Sequence, residues 1–128
     1  MCVMSRAEYD EHRVRTHMQA GMGEDEARKH HEASYPRSTD MVIFELQARG
    51  LAATDWRMQR MVRDPNLRPR EVSGTFCWTK KDVDRVAGRM LELGMLAISA
   101  MYRQELGITW TQEQELRRAK AEKEAGNA

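Results

Sequence analysis

Between Leu67 and Val83 the chain reads LRPREVSGTFCWTKKDV, and this stretch restricts the fold more than any other. A short apolar run surrounds Ser73-Gly74, a tight-turn pair, and Thr79 with Asp82 then marks a helix start. The segments on either side carry helical spacing, so one β-hairpin stands inside an otherwise helical protein. A loop of Ser73-Gly74 alone would set Val72 against Thr75 and Glu71 against Phe76, mixing apolar and charged partners. A loop extended to Thr75 pairs Val72 with Phe76 and puts Trp78 on the same face, and this longer loop is the expected one.

After the hairpin, Val83, Val86, Ala87, Met90 and Leu91 recur at i, i+3, i+4, i+7 and i+8, the strongest periodic signal in the chain. Before it, STDMVIFELQARG predicts a helix capped by Thr39 or Asp40, with Val42, Ile43 and Leu46 on one face and Gly50 at its end. A second helix starts near Thr54 or Asp55 and stops by Asp64, because Pro65 drives the preceding residue from helical angles. At the N-terminal side, Ser5 and Glu8 form a capping box, Gly21 and Gly23 interrupt, and EDEARKHHEAS resumes the helix with acids in its first turn. Residues 1–36 are therefore expected as a helical hairpin, or an appendage that orders only against the rest. Near the other end, Thr111 with Gln114 offers a cap for a solvated helix.

With 128 residues, one domain with a modest core is the default. Aromatics make up only 6%, so the core is expected to be aliphatic, with the 10 methionines as filler. Cys2 and Cys77 form no metal or redox pair, and no apolar run approaches a membrane span or a signal peptide, so a reduced, cytoplasmic protein without membrane contact is expected. No carboxylate pair in an apolar setting, phosphate loop or nucleophile elbow occurs, which argues against an enzyme. His12, His17, His30 and His31 would converge poorly as ligands even if the N-terminal helices packed together. Neither a metal nor a cofactor is expected.

The charge becomes informative when divided. Residues 1–36 hold 5 Lys+Arg against 7 Asp+Glu, residues 37–89 hold 11 against 7, and residues 90–128 hold 5 against 6, so the basic excess lies in the segment with the hairpin. Projected at 100° per residue, DWRMQRMVRD places Met58, Met61 and Val62 on one face. Trp56, Gln59, Arg60 and Arg63 fall on the opposite one, with Arg57 at the flank. A tryptophan among arginines either tucks against the preceding turn or the N-terminal hairpin, or meets a ligand or nucleic acid.

Helix, turn, basic helix, hairpin and capped helix is the order of a winged helix-turn-helix. Residues 41–91, through FELQARGLAATDWRMQRMVRDPNL and REVSGTFCWTKKDVDRV, resemble the variant in the MerR-like and phage excisionase-like families. The chain departs from that pattern in lacking one residue in the first helix and adding one or two after the second. The resemblance implies a winged helix-turn-helix with a two-stranded wing, and the helical patterns outside it make the expected fold mainly α, with an N-terminal helical hairpin and C-terminal helices on its flanks. The chain then divides into residues 1–36, the module at 37–94, and a C-terminal helical extension at 95–128. The resemblance also implies double-stranded DNA as partner, with the second helix in the major groove and the wing along the backbone or minor groove.

The residues fit this by themselves. Arg60 and Arg63 suit guanine, Gln59 suits adenine, and Trp56 shares their face; Arg57, Arg68, Arg70, Lys80 and Lys81 suit phosphates. A transcriptional regulator or an excisionase-like architectural factor follows. The rival is an all-helical adaptor that binds a protein through the same fold, favoured by the net charge of only +1 and the acidic flanks. If residues 83–106 form one bent helix or two stacked ones, they carry two apolar stripes. The first is Val83, Val86, Met90, Leu93, Ala97 and Ala100; the second is Leu91, Met95, Ile98, Tyr102 and Leu106. Two stripes exceed what one small domain covers, so the second is expected to form a homodimer interface, the alternative being that the N-terminal hairpin or the C-terminal helix folds back over it.

Overall fold

The computed structural model describes residues 3–96 and, beyond them, Thr109, Gln112, Glu115, Arg118, Ala119 and Glu122. The described part is mainly helical with one small antiparallel sheet: α1 Arg6–Gln19, α2 Glu24–Ala33, α3 Thr39–Ala48, α4 Asp55–Met61, β1 Arg70–Val72, β2 Thr75–Cys77 and α5 Lys80–Glu92. Among the described residues, no helix is long and apolar enough to cross a membrane.

Side-chain caps set most of the helix starts. Ser5 Oγ accepts from the Glu8 N–H at 3.1 Å while Glu8 accepts from the Ser5 N–H. Thr79 and Asp82 make the same reciprocal pair at the head of α5, as their spacing predicts. In α3 the cap is Ser38, one residue before the expected pair. The expected cap at Thr111 and Gln114 lies outside the described residues. Thr109 and Gln112 make a reciprocal cap instead, at 2.8 and 3.2 Å.

The apolar face of α3 (Val42, Ile43, Leu46) meets Leu51 and Ala53 from the following turn, Met58 of α4, Trp78, and Val83, Val86, Ala87 and Met90 of α5. Leu91, expected in that periodic series, is 52% exposed at its flank. Trp78 is fully buried, and its indole N–H donates to Thr39 Oγ1 at 3.0 Å, so the one polar atom of the largest core side chain is satisfied. Its backbone exchanges two hydrogen bonds with Arg37, at 2.8 and 2.9 Å. This bridge ties the chain entering α3 to the chain leaving β2.

The hairpin departs from expectation. Its loop is Ser73-Gly74, and the pairs are Arg70 with Cys77, Glu71 with Phe76 and Val72 with Thr75. Ser73 (φ 53) and Gly74 (φ 77) are both left-handed, the backbone of the two-residue turn whose twist suits paired strands. All of β1 is exposed, so little burial opposes the mixed pairs, and turn geometry sets the register. Phe76 still packs edge-on to Trp78, with ring centroids 6.5 Å apart, while Val72 faces water.

Of the two arrangements expected for residues 83–106, a single helix is excluded by its end at Glu92, and residues 97–106 lie outside the described residues. Gly94 (φ 67) closes α5: its N–H donates to the Leu91 carbonyl at 3.1 Å, and the Met95 N–H to that of Met90 at 2.9 Å. The chain then turns back, the Met95 carbonyl accepts from Ala52 N–H at 2.8 Å, and Leu96 bridges to Leu51. Met95 and Leu96 thus pack against the core, on the far side of the boundary expected at residue 94.

Candidate nucleic-acid interface

Thr54 starts α4 by accepting from the Arg57 N–H at 3.2 Å. Met58 points inward at 1% exposure, with Met61 and Val62 half-buried beside it. Helical spacing therefore turns Trp56, Gln59 and Arg60 outward, and all three are exposed. Trp56 is 62% exposed, so of its two expected placements the tucked one is ruled out. The Arg60 guanidinium lies over the indole, its Cζ 4.8 Å from the ring centroid, a cation–π arrangement that covers part of the ring. Arg63 belongs to the turn after α4, not to the helix, and is also exposed.

The residues assigned to phosphates divide. Arg68 folds onto the carboxyl end of α4, donating through Nε to the Val62 carbonyl at 2.8 Å and through Nη2 to that of Arg63 at 3.2 Å. A cation there answers the unpaired carbonyls and the negative end of the helix dipole, and it brings Arg63 and Arg68 together. Arg57 donates to the Ala52 carbonyl at 2.7 Å. Arg70 and Lys81 are exposed. Among the described residues, Arg60, Arg63, Arg68, Arg70 and Lys81 pair with no carboxylate.

Lys80 does not fit its expected role. It pairs with Glu32 of α2 and with Asp10 of α1 at 3.2 Å, and so faces the N-terminal helices. It belongs to a charged cluster centred on Glu45, whose side chain has no exposure. Glu45 Oε1 accepts from the Tyr35 hydroxyl and from Arg37 Nη1 at 3.1 Å; Oε2 accepts from Arg6 Nη2 at 2.9 Å and Arg49 Nη1 at 3.4 Å. Asp84 of α5 takes further bonds from Arg6 Nε at 3.1 Å and Arg49 Nη1 at 3.0 Å. Burial works against the charge of Arg6, but its bond to Asp84 and the nearby Glu45 outweigh it and raise its pKa above the ordinary value. Burial, then the bond to Glu45, pushes the Tyr35 phenol up. Burial would raise the Asp10 carboxyl, yet the bond from His31, 2.6 Å away, and the charge of Lys80 hold it below the usual range.

Through this cluster α1 and α2 dock on α3 and α5. Sequence reasoning missed it, although Glu45 and Arg49 stand four apart on the core side of α3, flanking Val42 and Leu46, where a charge needs a partner. It also missed Phe44 and Met41, which lie 71% and 47% exposed on the outer side of α3.

Packing of α1 on α2 does bring His17 to His30, with ring centroids 4.6 Å apart. Desolvation and the charge of Arg13 lower the His17 pKa. Among the described residues, no group of three or more His, Cys, Asp or Glu side chains could hold a metal. Of the expected dimer residues, Leu91 is exposed and Met95 packs on the core, while Ile98, Tyr102 and Leu106 lie outside the described residues. No protein-family model matches this chain, and neither a curated protein nor a solved structure shows significant similarity to it.

Proposed function

We propose that this chain is a non-enzymatic DNA-binding protein of winged-helix type, a transcriptional regulator or an excisionase-like architectural factor. In this reading α4 enters the major groove and the β1–β2 hairpin lies along the backbone. The observation that carries it is a division among the cations of residues 37–89. Arg37, Arg49, Lys80, Arg85 and Arg89 are held by carboxylates, whereas Arg60 of α4, Arg63 and Arg68 of the connection after it, Arg70 of the hairpin and Lys81 at the start of α5 are not. Exposed cations that no carboxylate pairs with are suited to base edges and phosphates. A mobility shift on the protein's own upstream region, or on random duplexes at low salt, tests the reading: Arg60→Ala or Arg63→Ala should cost about 1–3 kcal/mol on a specific site, and absence of any shift refutes it.

The adaptor reading keeps one observation of its own. Phe44 and Met41 put exposed apolar surface on the outer side of α3, where a protein partner would bury it. Phe44→Ala separates the readings, since it should leave duplex binding by α4 intact.

A further inference from the structure

Resting on the DNA-binding reading, we infer that Trp56 and Arg60 together read a guanine next to a pyrimidine carrying a C5-methyl group. The stacked pair is the most unusual feature of the outer face of α4. A 62% exposed indole leaves apolar surface in water, and its arginine neighbour covers only part of it. Arg60 has no carboxylate among the described residues, so the N–H edge of its guanidinium stays free while its Cζ rests over the indole ring.

A free guanidinium edge donates two parallel bonds to O6 and N7 of guanine, the one base presenting two adjacent acceptors in the major groove. Bonded that way, the guanidinium lies in the plane of the guanine. A ring stacked on it then stands about one base step along, level with the neighbouring pair. In the major groove the apolar group such a pair can offer an indole is a methyl on pyrimidine C5. Thymine carries one, and so does 5-methylcytosine. The helical spacing of four that stacks Trp56 on Arg60 thereby matches an apolar contact on one pair to a bidentate contact on the next.

The test starts from duplexes selected out of a random pool at low salt, with sequences read for wild type, Trp56→Ala and Arg60→Ala. In the wild-type set, guanine flanked by thymine should be enriched. On one selected duplex, deoxyuridine replaces that thymidine; on a second, carrying a cytosine at the step, 5-methylcytosine is compared with cytosine. Each arm tests one source of the methyl, thymine in the first and 5-methylcytosine in the second. Removal of the methyl should weaken wild type about fourfold in either arm, the worth of one buried methyl-sized group, and should leave Trp56→Ala unchanged. Arg60→Ala should lose the preference for guanine over adenine, on the order of tenfold. Both side chains are exposed, so the variants should keep the wild-type circular dichroism spectrum. Tight binding with equal affinity for the thymidine and deoxyuridine duplexes would overturn this inference and leave the DNA-binding reading standing. Failure of the pool to yield any retained duplex would overturn both.

Discussion

Replacing Glu45 by alanine should destabilise the protein far more than removal of any surface charge. The carboxylate has no exposure and accepts from four side chains, Tyr35, Arg37, Arg6 and Arg49. Arg37 and Arg49 are each only 6% exposed, so without Glu45 two guanidiniums remain in a poorly solvated site, with Asp84 on Arg49 the nearest compensation. Breaking a buried ion cluster from one side costs about 3–5 kcal/mol, because the remaining charges are left uncompensated. Total stabilities of such domains are about 5–15 kcal/mol, so the loss takes a large share. At roughly 4 °C per kcal/mol the melting temperature should fall by about 12–20 °C. Urea unfolding followed by circular dichroism gives the equilibrium value, and hydrogen exchange locates the damage. Protection should drop first in α1 and α2, which dock through Arg6, Asp10 and Tyr35. Glu45→Gln should fare little better, since an amide turned to accept from Arg37 presents its own N–H groups to Arg6 and Arg49. A loss under about 1 kcal/mol for Glu45→Ala, with protection of α1 unchanged, would refute the idea that this carboxylate holds the cluster together.

The other predictions separate roles that look alike in sequence. Lys80→Ala should lower stability and leave the salt dependence of duplex binding unchanged, whereas Lys81→Ala should flatten the log–log slope by about 0.9 without destabilising; the reverse pattern in filter binding across a salt series would contradict the ion pairs of Lys80. The Asp10 carboxyl titrates lower folded than unfolded, so its contribution is complete above the unfolded value of about 3.9 and is lost as pH falls through the folded one. Asp10→Asn should then narrow the stability difference between pH 6 and pH 3 in urea titrations, and an unchanged difference would count against the His31 and Lys80 contacts. Self-association through exposed Leu91 predicts a light-scattering mass of twice 14.9 kDa at micromolar concentration, reverting to 14.9 kDa in Leu91→Asp; a mass of 14.9 kDa for wild type throughout would rule it out.

By itself the sequence determined the elements whose cause is local. Ser5 with Glu8 and Thr79 with Asp82 start α1 and α5 where their spacing says, because a cap is closed by residues three apart. The outward face of α4 was equally legible, since Met58 can be buried only if Trp56, Gln59 and Arg60 face away. Tertiary structure decided what depends on residues far apart in the chain. Lys80 and Lys81 are adjacent cations with nothing local to separate them; Asp10 and Glu32, 70 and 48 positions from Lys80, turn one inward and leave the other exposed. The spacing of Glu45 puts it on the core side of α3, but its partners Arg6 and Arg37 arrive from outside that helix. The hairpin register was missed for a related reason: side-chain pairing decides a register only where burial enforces it, and on a hairpin whose first strand lies wholly in water the left-handed Ser73-Gly74 turn has the stronger claim.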